Sequence, residues 1–207
     1  AATGNDENGV ITESHFPDTL KGKSMYAISK IRSEMAVWAA IEEGLNAVIV
    51  NPGIILGPGN YTTDSSAFVS FADKGPRFFP AGATGFIDVR DVAKIMVALM
   101  ESEVKNKRFI LVSENMSYKT FFENLAHALH NKPPTNQLSP FLAGLAWRAE
   151  KLLKFFSNGT PRITRHSLAA SMQKKSYSNE RIKEQLKYRF IPVDDSIQYM
   201  VDSYKEY

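Results

Sequence analysis

Tyr26 and Lys30 stand four residues apart in Ser24-Met25-Tyr26-Ala27-Ile28-Ser29-Lys30, at the head of an apolar-periodic run over 31–41. In a helix this spacing puts the phenol and the ammonium on one face, a turn apart. An ammonium beside a phenol favours the phenolate, so a side chain that ordinarily titrates near ~10 becomes a proton donor or acceptor at working pH. A chain with 8 tyrosines and many lysines also makes such pairs by chance on the surface of amphipathic helices. The neighbouring elements therefore decide what the pair means.

The helix holding the pair carries Ile28, Ile31, Met35, Trp38, Ala39 and Ile41 at three- and four-residue steps, which predicts one packed face. It should end near Glu43-Gly44, with the glycine as C-cap. Next, 45–50 is a short β-branched run closed by Asn51-Pro52-Gly53, the pattern of a buried parallel strand. Helix, tight turn and buried strand is α/β wiring. The segment from Ile54 to Asn60 reads as an apolar exit loop, and Gly57 and Gly59 lack the spacing and the following Lys-Ser/Thr of a phosphate loop. Its interest is its place, since open α/β sheets bind ligands at the carboxyl ends of their strands.

Further on, Asp64 or Ser65 should cap a helix reaching Lys74-Gly75, and 76–80 is an extended aromatic segment. The stretch 86–89 alternates like a strand, Asp91 can N-cap a helix over 92–100, 108–113 is a second buried strand, and Ser117 caps a helix over 118–130. His127 and His130 share a face of that helix with Glu123 one turn back. With no further convergent ligand this reads as a wet helix face and not a metal site. Beyond the Pro133-Pro134 hinge, 138–156 is a long amphipathic helix whose charges exclude a membrane span; it could cover a substrate pocket or lie on a membrane surface. Helices follow over 165–172, 178–186 and 193–204.

Composition narrows the class. At 207 residues and 43% hydrophobic content the chain can bury a core as one large domain or two small lobes. The absence of cysteine excludes disulfides and thiolate metal sites and favours a reducing compartment, the cytoplasm. Residues 1–7 lack the basic start and apolar core of a signal peptide, and no apolar run reaches membrane-spanning length. The net charge of +3 hides a basic stretch, with eleven basic residues against three acidic ones between Arg148 and Arg189. These charges fall at helical spacings between apolar residues and no nucleic-acid module accompanies them, so they read as solvated faces rather than a nucleic-acid surface.

Taken together, the small-residue turn at 1–4, the Tyr26-x-x-x-Lys30 helix, the run Asn51-Pro52-Gly53-Ile54-Ile55-Leu56-Gly57-Pro58-Gly59 and the segment Phe86-Ile87-Asp88-Val89-Arg90-Asp91-Val92-Ala93 resemble the extended short-chain dehydrogenase/reductase family. The Asn-Pro-x-x-x-x-Gly-Pro-Gly run and the Ser117-Tyr118-Lys119 helix start are most similar to its dihydroflavonol-reductase-like branch, with sugar-nucleotide epimerases as cousins. The resemblance covers nearly the whole chain. It implies that Tyr26 gives a proton to a substrate carbonyl or takes one from an alcohol, and that Lys30 holds the nicotinamide ribose hydroxyls and tunes the tyrosine. It further implies that Pro52, Gly53, Ile54 and Ile55 line the nicotinamide, and that 57–60 with the segments around Phe79 and Phe141 border the substrate. The implied cofactor is NADP or NAD, with NADP favoured by the branch. The implied partners are a small carbonyl or alcohol substrate and a second copy, packed through the Tyr26 helix at Met35 and Trp38.

The family's Gly-rich dinucleotide turn is absent, so the resemblance implies a first βαβαβ half, very roughly a hundred residues, before residue 1. The family's third catalytic hydroxyl should fall at or just before Ala1; Ala1 and Ala2 carry none, and Thr3 is the nearby substitute. Asp88 stands where many relatives have His and reads as structural. The expected fold is α/β: residues 1–56 and 86–113 as the later portion of a Rossmann-type doubly wound parallel sheet, and 57–85 and 114–207 as a small, mainly helical substrate lobe. Three other readings stay open. They are a sugar-nucleotide epimerase or dehydratase using the basic stretch, a non-catalytic fragment with an open sheet edge, and a membrane-surface lipid reductase anchored by 138–156.

Overall fold

The computed structural model describes residues 9–14, 16, 19–139, 141, 142, 144, 145, 148 and 165–206. Helix α1 (Met25–Glu42) opens at Ser24, whose hydroxyl accepts the Ala27 N–H at 3.1 Å. That bond satisfies one of the donors a helix start leaves free. The helix closes at Glu43, followed by Gly44 at φ +106, a backbone angle that side chains disfavour. Its buried face is narrower than the periodicity predicts, comprising Ile31, Glu34 and Ile41. Met35 and Ala39, expected on that face, are exposed, Met35 at 58%. The charged Glu34 turns inward because a cation waits for it there.

Strand β2 (Val48–Pro52) runs parallel to β6 (Lys107–Leu111), from Val48 opposite Lys107 to Pro52 opposite Leu111. It starts later than the apolar run does, since Leu45 is 49% exposed. At Gly53 the chain changes partner. Ile54–Leu56, expected as an exit loop, is a strand, β3, parallel to Phe86–Asp88 of β5 (Ala83–Asp88), which supplies the backbone groups a loop would have left to water. On its other edge β5 pairs antiparallel with β7 (Glu114–Ser117), an element the sequence pattern did not suggest. Two short parallel pairs complete the described strands: β1 (Val10–Ile11) with β9 (Ser176–Tyr177), and β4 (Phe78–Phe79) with β8 (Asn136–Gln137).

Period-two alternation sends neighbouring residues to opposite faces of the sheet. Leu56 and Phe86 join one core, with Phe121 and Phe122 of α4 (Tyr118–Ala128), Val69 of α2 (Ala67–Asp73) and Met200 of α7 (Val193–Lys205). Ile87, Phe109 and Leu111 face a second core with Ile95 of α3 (Val89–Met100) and Ile182 of α6 (Glu180–Leu186). Ile110 and Val112 meet Ile11 in a third cluster. Stacking of Phe86 on Phe121, with centroids 4.5 Å apart and planes 10° off parallel, ties sheet to helix in the first core. The remaining described helix is α5 (Arg165–Ser171).

Two caps differ from expectation. Asp88, not Asp91, N-caps α3, accepting from the Arg90 N–H at 2.7 Å, so that helix begins three residues earlier than its apolar run suggested. Asp91 is instead buried and accepts from the Tyr188 hydroxyl at 2.9 Å and the Ile191 N–H at 2.8 Å, fastening the 188–191 segment to α3. α2 starts at Ala67 after Ser66, whose hydroxyl makes no capping bond and donates instead to the Asn60 and Thr63 carbonyls at 2.9 and 3.1 Å; of the two expected caps, Asp64 sits at φ +55 and Ser65 donates to the Ile55 carbonyl. Among the described residues no helix is long and apolar enough to cross a membrane. Most of the amphipathic segment expected over 138–156 lies outside the described residues; within it Phe141 and Leu145 are exposed.

Candidate active site

α1 and β2 meet in a groove of about 390 Å³ at the carboxyl end of β2. Tyr26 and Lys30 line one wall, and Pro52, Gly53 and Ile55 line the other. The Lys30 Nζ lies 5.7 Å from the centre of the Tyr26 ring, and the phenol is 67% exposed, open to an incoming molecule. Of the residues singled out beforehand, Ile54 is not brought to the groove. Strand alternation turns it to the other side of the sheet, where it packs against the Leu56 core while Ile55 faces the groove. Phe79 is buried in that same core. Ala1, Ala2 and Thr3, where a third hydroxyl was sought, lie outside the described residues.

Gly53 makes the turn from β2 to β3 possible. A Cβ there would stand 2.4 Å from the Gly85 carbonyl oxygen, and one on Gly85 would stand 2.6 Å from a Val112 methyl. The backbones approach so closely that only two glycines fit, which sets where Pro52 ends and Ile55 begins.

Beneath the groove lies a buried ionic network that sequence reasoning missed. Arg108, 1% exposed, donates to Glu34 Oε1 at 2.9 Å and also to the Glu13 backbone carbonyl, while the Phe16 ring covers its guanidinium at 4.0 Å. Glu34 also accepts from Trp38 Nε1 and Asn51 Nδ2, each at 3.3 Å, so the helix carrying Tyr26 is tied to both strands of the parallel pair. Glu13 accepts the Ile110 N–H at 2.9 Å and lies 3.8 Å from Arg181. One signal was available: Glu34 is a charge within an apolar periodic run, and Arg108 opens a buried strand.

Asp88, at the end of β5, is fully buried. Burial alone would raise its carboxyl, but donation from the Arg90 side chain and backbone, with help from Ser196, outweighs it and holds the group below the ordinary carboxylate range. Arg90 grips it with Nε at 2.8 Å and a terminal nitrogen at 2.7 Å, and lies over the Tyr199 ring at 4.2 Å. This pair supports the fold and stays away from the groove. Among the described residues no group of three or more His, Asp or Glu side chains converges as a metal site.

The groove's donor set suits a nicotinamide riboside. It offers a phenol hydroxyl and an ammonium for sugar hydroxyls, and apolar Val37, Ile49 and Ile55 against a flat ring. Among the described residues its one carboxylate, Glu34, is already held by Arg108.

A second cavity, of about 490 Å³, has Tyr26 in its wall together with Lys21, Lys23, Lys175 and Tyr177. Among the described residues Tyr26 is the one the two share. The phenol therefore divides them.

Comparison with known proteins bears on the family and the fold. Residues 3–112 match the model of the NAD dependent epimerase/dehydratase family. The chain is 25% identical over 189 residues to sterol demethylase protein B of Methylococcus capsulatus, covering 89% of this chain and 58% of that protein. It is 28% identical over 116 residues to cinnamoyl-CoA reductase CAD2 of Medicago truncatula, covering 53% of this chain and 35% of that one. Its fold superposes on a nucleoside-diphosphate-sugar epimerase from Pseudomonas aeruginosa with a TM-score of 0.78 at 20% identity, over 99% of this chain and 64% of that one. The Rossmann-type α/β architecture expected from the sequence is borne out, and the chain spans less than two thirds of the length of these relatives.

Proposed function

This chain belongs to the NAD dependent epimerase/dehydratase family, and from that premise we propose that it carries the proton-handling part of a nicotinamide-dependent oxidoreductase acting on a small carbonyl or alcohol substrate. The observation that carries the reading is the shared wall: Tyr26 and Lys30 stand side by side over a groove floored by Pro52, Gly53 and Ile55. A nicotinamide bound there supplies or accepts the hydride. In the reducing direction Tyr26 gives its hydroxyl proton to the carbonyl oxygen as the carbon gains its new C–H bond, leaving a phenolate that the Lys30 ammonium stabilises; oxidation runs the same transfer backwards. Lys30 would hold the ribose hydroxyls of the cofactor, and Pro52 would border it.

In this reading residues 1–56 and 86–113 form the cofactor side and 57–85 with 114–207 the substrate side. NADP is the proposed cofactor, the protein acts in the cytoplasm, and the outward face of α1 that carries Met35 meets a second copy.

The test is nicotinamide oxidation by the intact polypeptide against a panel of small ketones and aldehydes. Turnover lost in Tyr26→Phe supports the reading. A sugar nucleotide converted with no net change in nicotinamide would select an epimerase instead.

A further inference from the structure

The second cavity bears on what the substrate is. Among the described residues its lining carries three lysines, Lys21, Lys23 and Lys175, and no acidic side chain. Glu13, two residues from Ile11 of the same wall, is turned to Ile110 and Arg181 instead. Among the described residues no ion pair engages any of the three ammonium groups. Lys23 and Lys175 are half-buried, so they are not freely solvated surface charges. Like charges brought together at a concave, partly desolvated surface repel one another unless an anion joins them.

We propose that the substrate carries an oxyanion, a carboxylate or a phosphate, which seats among Lys21, Lys23 and Lys175 while its reacting carbon faces Tyr26. The proposal rests on the Tyr26 reading above and gives that site a substrate class. Two facts support it. Tyr26 is common to both cavities, so a molecule anchored by its anion in one can reach the phenol that borders the other. Burial, and then the charge of Lys23, pushes the Lys175 ammonium below its ordinary value, a cost that a bound anion relieves. Around the lysines, Ile11, Ala27, Ala169 and Ala170 give the cavity an apolar lining fit for the carbon frame of a small molecule.

The experiment compares matched substrates on the intact polypeptide: a keto acid against its methyl ester, and a phosphorylated ketone against the free alcohol. We expect the anionic member of a pair to be preferred, and Lys23→Met with Lys175→Met to reduce that preference about ten- to hundredfold through KM. The pair showing the larger drop distinguishes carboxylate from phosphate. Because the readout is a ratio, a loss of folded protein that lowers both members equally does not imitate it. Titration with inorganic phosphate and with acetate, followed calorimetrically, gives a readout independent of turnover, and the double variant should weaken binding of the favoured anion by a similar factor. Equal use of charged and neutral members, or anion binding indifferent to the double variant, overturns the proposal. If Tyr26→Phe is inactive while the lysine variants change nothing, the anion proposal falls and the oxidoreductase reading stands; if Tyr26→Phe still turns over, that reading falls.

Discussion

Arg108 Nη1 lies 2.9 Å from Glu34 Oε1 with both side chains almost wholly buried, and the bond joins strand β6 to the helix that presents Tyr26. Removing one partner strands the other charge away from water, which costs about 3–5 kcal/mol. Arg108→Met should therefore lower unfolding free energy by about that much, read from the denaturant midpoint. Arg108→Met with Glu34→Met should recover most of the loss. A single variant costing under about 1 kcal/mol would mean the pair is not what holds α1 in place.

Gly53→Ala tests the close approach that ends the groove. Its Cβ would fall 2.4 Å from the Gly85 carbonyl oxygen, a backbone atom that cannot swing aside. The expected loss is about 1–3 kcal/mol of stability. A larger proportional fall in turnover should follow, because Pro52 and Ile55 shift with the strand. Stability and rate both unchanged would show that β3 tolerates displacement.

The sequence pattern made much of this legible, and the misses share a cause. The Tyr26 helix, the two parallel-paired strands at 48–52 and 107–111, of which only the second is buried, and the Ser117 cap follow from local chemistry: side-chain period, cap residues and β-branching. What escaped depends on partners distant in the chain. Ile54–Leu56 is apolar like any exit loop until β5 lies beside it, and whether Ile54 or Ile55 faces the groove turns on a register that one strand alone does not state. Met35 and Glu34 exchanged expected roles because Arg108, 74 residues away, supplies the cation.

Asp88 makes acid stability measurable. Its folded value lies below the unfolded value of 3.8, so ionised Asp88 contributes stability above that pH, and the contribution is lost as pH falls from about 4 through the lower folded value. Asp88→Asn keeps a competent N-cap but no titrating charge. Its stability should be lower at neutral pH and flatter than the parent's between about pH 4 and 2. Parallel acid limbs would contradict this assignment.

The outward face of α1 offers Met35, 58% exposed, beside Ala36 and Ala39. Under the proposed pairing of two copies, Met35→Glu places like charges at the contact and should halve the mass measured by light scattering while leaving the melting temperature of the monomer within a few degrees. An unchanged mass would remove this face from the interface.

The hydroxyl of Tyr26 carries the proposed proton transfer. With the intact polypeptide and any carbonyl substrate it reduces, Tyr26→Phe should lower kcat by about a hundredfold or more, the range a positioned proton donor contributes, while nicotinamide affinity changes little because Lys30 remains. If the phenylalanine variant turns over at the parent's rate, the proton comes from elsewhere and the proposed function is wrong.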